Sequence, residues 1–175
     1  NHGLIIHAKH CINKVSYKLM PDYINFIYEE LPGIKGITLC GLDYCGTTKE
    51  QNLEIAVKFS EMKPYIEKSL ENAIEKNFKI PVCVTDIPLC TINYKYWKYF
   101  SCTSKYRKNS AYSSPEIKKT ENLRLQFNTS NQCGTFSEKC KACDIEPHCS
   151  GTWRATWDVL GNSEILPIKI KHRSA

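Results

Sequence analysis

An α/β fold with a parallel sheet is predicted by the alternation of apolar runs and helical patterns in the N-terminal half of the chain. Three runs have the length and composition of strands: 3–8 (GLIIHA), 34–42 (IKGITLCGL) and 80–85 (IPVCVT). Helical patterns separate them. Nearly continuous apolar strands that alternate with helices are typical of parallel βαβ units rather than hairpins.

The two intervening segments are predicted to be helices. Pro21 suits a first helical turn, and apolar side chains then recur at helical spacing until Pro32-Gly33 ends the pattern. The second helix is predicted over 62–77, because its apolar residues share one face. A polar loop is predicted over 43–52.

The carboxyl ends of parallel strands meet on one face of a sheet, where α/β folds bind their ligands. The segments that reach this face are 7–14, 40–45 and 86–90. A sheet of only three parallel strands would leave an apolar edge strand with unpaired backbone groups. We therefore expect a further stretch of sequence or another chain to cover that edge.

Composition and charge argue against several classes of function. The 175 residues are 42% apolar and 24% charged, as in ordinary globular domains, and no apolar stretch is long enough to cross a membrane. The net charge of +6 comes from scattered lysines without a nucleic-acid-binding motif, so nucleic-acid binding is not favoured. The first residues contain neither a basic leader nor a long apolar run, which predicts a cytoplasmic protein.

Residues 91–130 are predicted to form an aromatic and polar connecting region. Their aromatic cluster could stack on a base or a peptide, but packing over the strand ends is the simpler interpretation. Residues 101–120 are rich in serine and lysine without a clear period, which predicts a long surface loop. The cluster consists of Tyr94, Tyr96, Trp97, Tyr99 and Phe100.

The ten cysteines are the most informative feature of the composition. An even number allows a disulfide framework, but the expected apolar core needs no covalent support and no secretion signal is visible. Metal binding is therefore the stronger interpretation. The cysteines stand at positions 11, 40, 45, 83, 90, 102, 133, 140, 143 and 149.

A C-x2-C-x5-C pattern in the region 131–175 predicts a metal site with Cys140, Cys143 and Cys149 as ligands. A C-x2-C pair in a turn directs two thiolates at the same metal centre. Cys133 or His148 could complete a zinc site locally, and Cys90 could supply the fourth ligand from the end of the third strand. The spacing leaves the choice between zinc and an iron–sulfur cluster open.

Three motifs together are similar to the C-terminal end of radical S-adenosylmethionine (radical SAM) enzymes with a SPASM/twitch-like auxiliary [4Fe-4S] cluster. They are 87–90 (IPLC), the C-x2-C-x5-C-x-G pattern that ends at Gly151, and Gly161-x2-Glu164-x2-Pro167. The resemblance implies that residues 1–90 form the last βα units of a partial TIM (β/α) barrel. It also implies that 131–175 form a small cysteine-rich extension that binds the auxiliary iron–sulfur cluster.

Site residues follow from this resemblance position by position. Asn13 and Lys14, at a strand end, would line the SAM or substrate cavity, and Gly161 and Glu164 would have structural roles. Cys133 is a reserve ligand. The auxiliary [4Fe-4S] cluster would be held by Cys90, Cys140, Cys143 and Cys149.

One defining feature of the family is absent from these 175 residues. The C-x3-C-x2-C motif, which holds the SAM-cleaving [4Fe-4S] cluster, does not occur. The chain alone is therefore not expected to be an active enzyme. The resemblance implies a C-terminal fragment of a longer enzyme, or a subunit whose partner supplies the N-terminal half of the barrel. SAM and a second [4Fe-4S] cluster would be bound only in the complete enzyme.

Two functions remain open at this level. In the first, the auxiliary cluster positions a substrate, which would be a peptide or a small molecule, or relays an electron. In the second, the chain is a non-enzymatic zinc-binding module. Its ligands would be Cys140, Cys143 and Cys149 with either Cys133 or His148, and its aromatic stretch would be the surface that binds a partner.

Overall fold

A three-stranded parallel sheet is the centre of the fold in this computed structural model, which describes residues 5–44, 49–100 and 135–170. The strands are β1 (His7–Ile12), β2 (Gly36–Gly41) and β3 (Val82–Thr85), in the order β1-β2-β3. Both strand pairs are parallel, which confirms the predicted βαβ connections. The partial TIM barrel stays a prediction, because many α/β folds contain three parallel strands.

Four α-helices accompany these strands in the described residues: α1 (Met20–Glu30), α2 (Lys49–Ile55), α3 (Phe59–Glu75) and α4 (Arg154–Leu160). Helix α1 begins where Pro21 predicted it. The loop predicted over 43–52 is wrong at its end, because α2 begins at Lys49. Helix α3 begins earlier than the predicted range of 62–77, and Glu164 from the distant tail caps its first turn.

Helices α1 and α3 pack against the sheet and share one apolar core with it. Ile24 of α1 and Ile66 of α3 join Leu39 and Val84 of the sheet in one apolar core. The first strand was predicted over 3–8, but β1 begins at His7, and its exposure alternates along the strand. The expectation of a nearly continuous apolar strand is therefore wrong for β1, whose residues His7–Ile12 (HAKHCI) include polar side chains and alternate in exposure.

Part of the aromatic stretch packs within the fold, against α3, the turn after β3 and the edge of β3, while Tyr94 is 77% exposed. Tyr96 is buried and its hydroxyl donates to Glu71, while Trp97 Nε1 donates to the carbonyl of Leu89 (3.0 Å). Phe100 forms an isolated parallel bridge with Val84 of β3. The predicted loop over 101–120 lies outside the described residues.

The tail, 135–170, is built from short turns around α4. Two 3₁₀ helices, Glu138–Ala142 and Glu146–His148, precede α4, and an antiparallel bridge joins Thr135 to Thr152. Within the described ranges, no helix combines the length and apolar character needed to cross a membrane.

Candidate metal centre

Four of the predicted ligands line one cavity between the end of β3 and the tail. The cavity encloses about 20 Å³, more than the roughly 10–15 Å³ that one ordered water requires. Its wall is otherwise largely apolar, with Ile145 and Ile165 among the lining side chains. The four cysteines are Cys90, Cys140, Cys143 and Cys149.

The connection after β3 places Cys90 at this cavity. Asp86 adopts a left-handed conformation (φ 62°), and its backbone carbonyl accepts a hydrogen bond from Thr152 Oγ1 (2.8 Å). Cys90 then lies in the 3₁₀ helix Leu89–Thr91, which is closed by a bond from Thr91 Oγ1 to the carbonyl of Pro88 (2.7 Å). Cys90 is therefore fixed by contacts to both the sheet and the tail.

Tight turns place the three tail cysteines at the same cavity. The N–H of Cys143 donates to the carbonyl of Cys140 (2.9 Å), so the C-x2-C pair closes one turn. The N–H of Cys149 donates to the carbonyl of Glu146 (3.0 Å), which closes the next turn. Each turn brings its sulfur towards the cavity, as the spacing predicted.

Every one of the four sulfurs has a hydrogen-bond partner. The N–H groups of Leu89 and Gly151 each donate to Cys149 Sγ at 3.4 Å. The remaining contacts are made by Ile168 N–H to Cys143 Sγ (3.4 Å), by the Leu166 backbone to Cys90 and by Ser137 Oγ to Cys140 Sγ (3.5 Å). Donors around sulfur stabilise a thiolate and are a common feature of metal-bound cysteine.

Burial opposes ionisation of these thiols. Burial raises the pKa of Cys90 to about 11; the Leu166 backbone donor lowers it, and the three neighbouring cysteines raise it further. Burial also raises the pKa of the Cys149 thiol, against the effect of its two backbone donors. Cys90 and Cys149 therefore favour the protonated thiol, and either would bind a metal only after losing its proton.

The arrangement of the thiols bears on the kind of metal centre. In the part of the chain that the structure describes, no three His, Cys, Asp or Glu side chains are arranged to hold a metal ion. Zinc bound at about 2.3 Å by each sulfur needs sulfurs within about 4 Å of one another. A four-iron cluster binds each thiolate at a different iron, so its ligands stand farther apart. The described side chains therefore leave the choice between zinc and an iron–sulfur cluster open.

Three of the local zinc ligands, Cys140, Cys143 and Cys149, line the cavity, and the two candidates for the fourth ligand do not join them in the described residues. His148 is exposed and does not line the cavity. Cys133, the reserve ligand, lies outside the described residues. Cys90, which the local zinc site does not use, does line the cavity.

Asn13 and Lys14, the predicted SAM or substrate contacts, take part in local interactions. Asn13 Oδ1 accepts hydrogen bonds from the N–H groups of Val15 (2.9 Å) and Ser16 (3.1 Å), which closes the turn after β1. Lys14 Nζ forms an ion pair with Glu61 (2.6 Å). Their contact with a ligand stays a prediction.

A buried thiol, Cys40, lies at the carboxyl end of β2, apart from the cavity that the four cysteines line. Cys40 Sγ donates to Asp86 Oδ2 (3.3 Å), and the register places Cys11 of β1 beside it. Burial, followed by the charge of Asp86, raises the pKa of Cys40 to about 12. Cys40 is therefore a protonated structural thiol rather than a nucleophile.

Sequence reasoning missed the groups that surround the sulfurs. Ser137 carries no motif, and the donors from Leu89, Leu166 and Ile168 are backbone groups, which leave no residue-specific pattern. Only the Gly161-x2-Glu164-x2-Pro167 motif pointed to this part of the tail.

No family model matches the chain, and no curated protein or solved structure is significantly similar to it. Its function has to be inferred from its own residues.

Proposed function

We propose that this chain binds an auxiliary [4Fe-4S] cluster as the C-terminal part of a radical SAM enzyme. One observation carries the proposal: Cys90 from the sheet and three tail cysteines line the same cavity, and each sulfur has a hydrogen-bond partner. The order of the motifs in the sequence supports the family, and the parallel βαβ arrangement is compatible with it.

The residues around the cavity perform three tasks in this proposal. The four thiols bind the irons after losing their protons, so iron binding tightens as the pH rises. The backbone donors stabilise the sulfur charge. Ile145, Ile165 and Trp157 line the cavity and limit the access of water. The bound group supplies a one-electron redox centre, whose potential depends on these hydrogen bonds and on solvent access.

The role of the site within an enzyme is to position a substrate or to relay an electron. SAM cleavage belongs to a part of the enzyme that carries the C-x3-C-x2-C motif, which these 175 residues lack. We infer that the substrate is a peptide or a small molecule. We also infer a cytoplasmic location, since a reducing compartment keeps the thiols available for iron.

Anaerobic reconstitution with iron and sulfide tests the proposal. We expect about four iron and four sulfide per chain, with the brown colour and the paramagnetic reduced state of a [4Fe-4S] centre. Replacing Cys90→Ser should lower the iron content or change the electron paramagnetic resonance (EPR) spectrum. Cys83→Ser is the matched control, because Cys83 is a half-buried thiol of β3 that does not line the cavity.

Two results would contradict the proposal. One is a colourless protein that binds a single zinc ion and keeps it unchanged in Cys90→Ser, which would favour the local zinc module. The other is an equal loss of iron in Cys83→Ser and Cys90→Ser, because a specific ligand role of Cys90 predicts a difference between them.

A further inference from the structure

A short tail segment, 164–170, connects helix α3 with the metal centre, and we refer to it as the strap. At its first residue, the Glu164 carboxylate accepts hydrogen bonds from the N–H groups of Phe59 (2.8 Å) and Ser60 (3.2 Å). These are the first two residues of α3, whose N–H groups have no partner within the helix. A carboxylate is also favoured there by the helix dipole. Glu164 therefore fixes the strap to a 17-residue helix.

The other end of the strap is fixed by Asp144, the residue after Cys143. The Asp144 carboxylate accepts hydrogen bonds from the N–H of Ile170 (2.8 Å) and from Lys169 Nζ (3.1 Å). The N–H of Asp144 in turn donates to the carbonyl of Ile168 (2.9 Å). The strap is thus held at both ends by carboxylates that do not line the cysteine cavity.

Between these two anchors, the strap donates to two different sulfurs. The Leu166 backbone donates to Cys90, and the Ile168 N–H donates to Cys143 Sγ (3.4 Å). Ile165, between Glu164 and Leu166, is buried in the apolar core. Residues 166 and 168 are two positions apart in a segment without helix or strand, and both donate to sulfur.

We propose that Glu164 is a positioning residue that raises the reduction potential of the metal centre by holding the strap donors against Cys90 and Cys143. This inference rests on the proposed cluster. A reduced cluster carries one more negative charge, and N–H donors to its thiolates stabilise that charge. Glu164 contacts neither sulfur, so it acts through the position of the strap.

The reconstituted 175-residue chain with Glu164→Gln tests this role. The amide keeps one acceptor oxygen but loses the second acceptor and the charge, so one N–H at the start of α3 loses its partner. We expect full iron content, a midpoint potential shifted to a more negative value in an EPR-monitored redox titration, and an altered EPR spectrum. Glu138→Gln is the matched control, because Glu138 lies in the same tail, is exposed, and pairs only with Lys141 among the described contacts.

A second variant keeps the test decisive if the loss of the cap destabilises α3. Asp144→Asn weakens the other anchor of the strap, at Lys169 and Ile170, and a shift in the same direction is expected. Iron-loaded Glu164→Gln and Asp144→Asn with the potential and spectrum of the unaltered chain would overturn the role of the strap. Failure of the unaltered chain to take up iron would instead overturn the proposed function.

Discussion

The β/α region, 5–100, and the tail, 135–170, are held together in different ways. In the β/α region, α1 and α3 pack their apolar faces on the sheet and form one core. In the tail, the buried apolar residues are Ile145 and Ile165, and most of its backbone lies in short turns around the one helix α4. Three of the four predicted metal ligands lie in the region with the smaller apolar core.

If the tail binds a metal centre as proposed, the two regions obtain their stability from different sources. Burial of apolar surface contributes about 25 cal/mol per Å², and the β/α region has most of the buried apolar residues. A cysteine-rich segment with few such residues is stabilised mainly when metal binding adds to its folding free energy. A substitution at a contact between the two regions should therefore affect the stability of both.

The largest effect is expected from Ile66→Ala in α3. Ile66 is 0% exposed, and the loss of its side chain leaves a cavity that costs about 2–5 kcal/mol in the free energy of unfolding. Ile74→Ala in the same helix should change it by no more than about 0.5 kcal/mol, because Ile74 is 48% exposed. Urea denaturation of iron-free and iron-loaded protein measures both. If Ile66→Ala lowered the free energy of unfolding of the iron-free protein but not that of the iron-loaded protein, the two regions would not have separate sources of stability.

A smaller effect, but one that reaches the metal centre, is expected from Gly41→Ala at the end of β2. A Cβ at Gly41 would lie 2.5 Å from the carbonyl oxygen of Asp86, which is backbone and has to move. We expect a loss of about 1–3 kcal/mol and, because Cys90 follows Asp86 closely, an altered EPR spectrum. Gly33→Ala is the control, since nothing lies within 4 Å of a Cβ there. An equal loss of stability in Gly41→Ala and Gly33→Ala would disprove the close approach of Gly41 to the Asp86 carbonyl.

The smallest effect is expected from Thr152→Val, which removes one hydrogen bond between the regions. Thr152 is buried, and its hydroxyl donates to the carbonyl of Asp86 (2.8 Å). The valine leaves that carbonyl without this donor, which costs about 1–2 kcal/mol. Thr152→Ser keeps the hydroxyl and should lose less. Thermal unfolding of the two variants measures the difference, and equal stability would show that this bond does not couple the tail to the sheet.

Much of the β/α region could be predicted because the residues that the hydrophobic pattern marks as apolar are also the ones that the fold buries. The 3.6-residue period placed α1, and the apolar runs placed β2 and β3. The position of β1 was predicted too early because Ile5 and Ile6 look like strand core but are 74% and 57% exposed. Pairing with β2 decides the bounds of this edge strand, and a single-sequence pattern does not contain that pairing.

The candidate site was predictable only in part. The C-x2-C-x5-C spacing identified three neighbouring thiols, whose turns are local. The assignment of Cys90 depended on a family resemblance, and the backbone donors in the strap had no sequence signal at all. Every residue except proline has a main-chain N–H group, so hydrogen bonds from these groups depend on how two segments pack and are not predicted by residue type.

Periodicity and short-range spacing were enough to predict α1, β2, β3 and the turns of the C-x2-C-x5-C pattern, but not α2, α4 or the bounds of β1. Only the tertiary structure brought Cys90 to the three tail cysteines and the strap to two of the sulfurs. The physical reason is that such distances follow from how the tail packs on β3 and α3. That packing depends on many side chains at once, including Glu164 at the start of α3 and Thr152 beside Asp86.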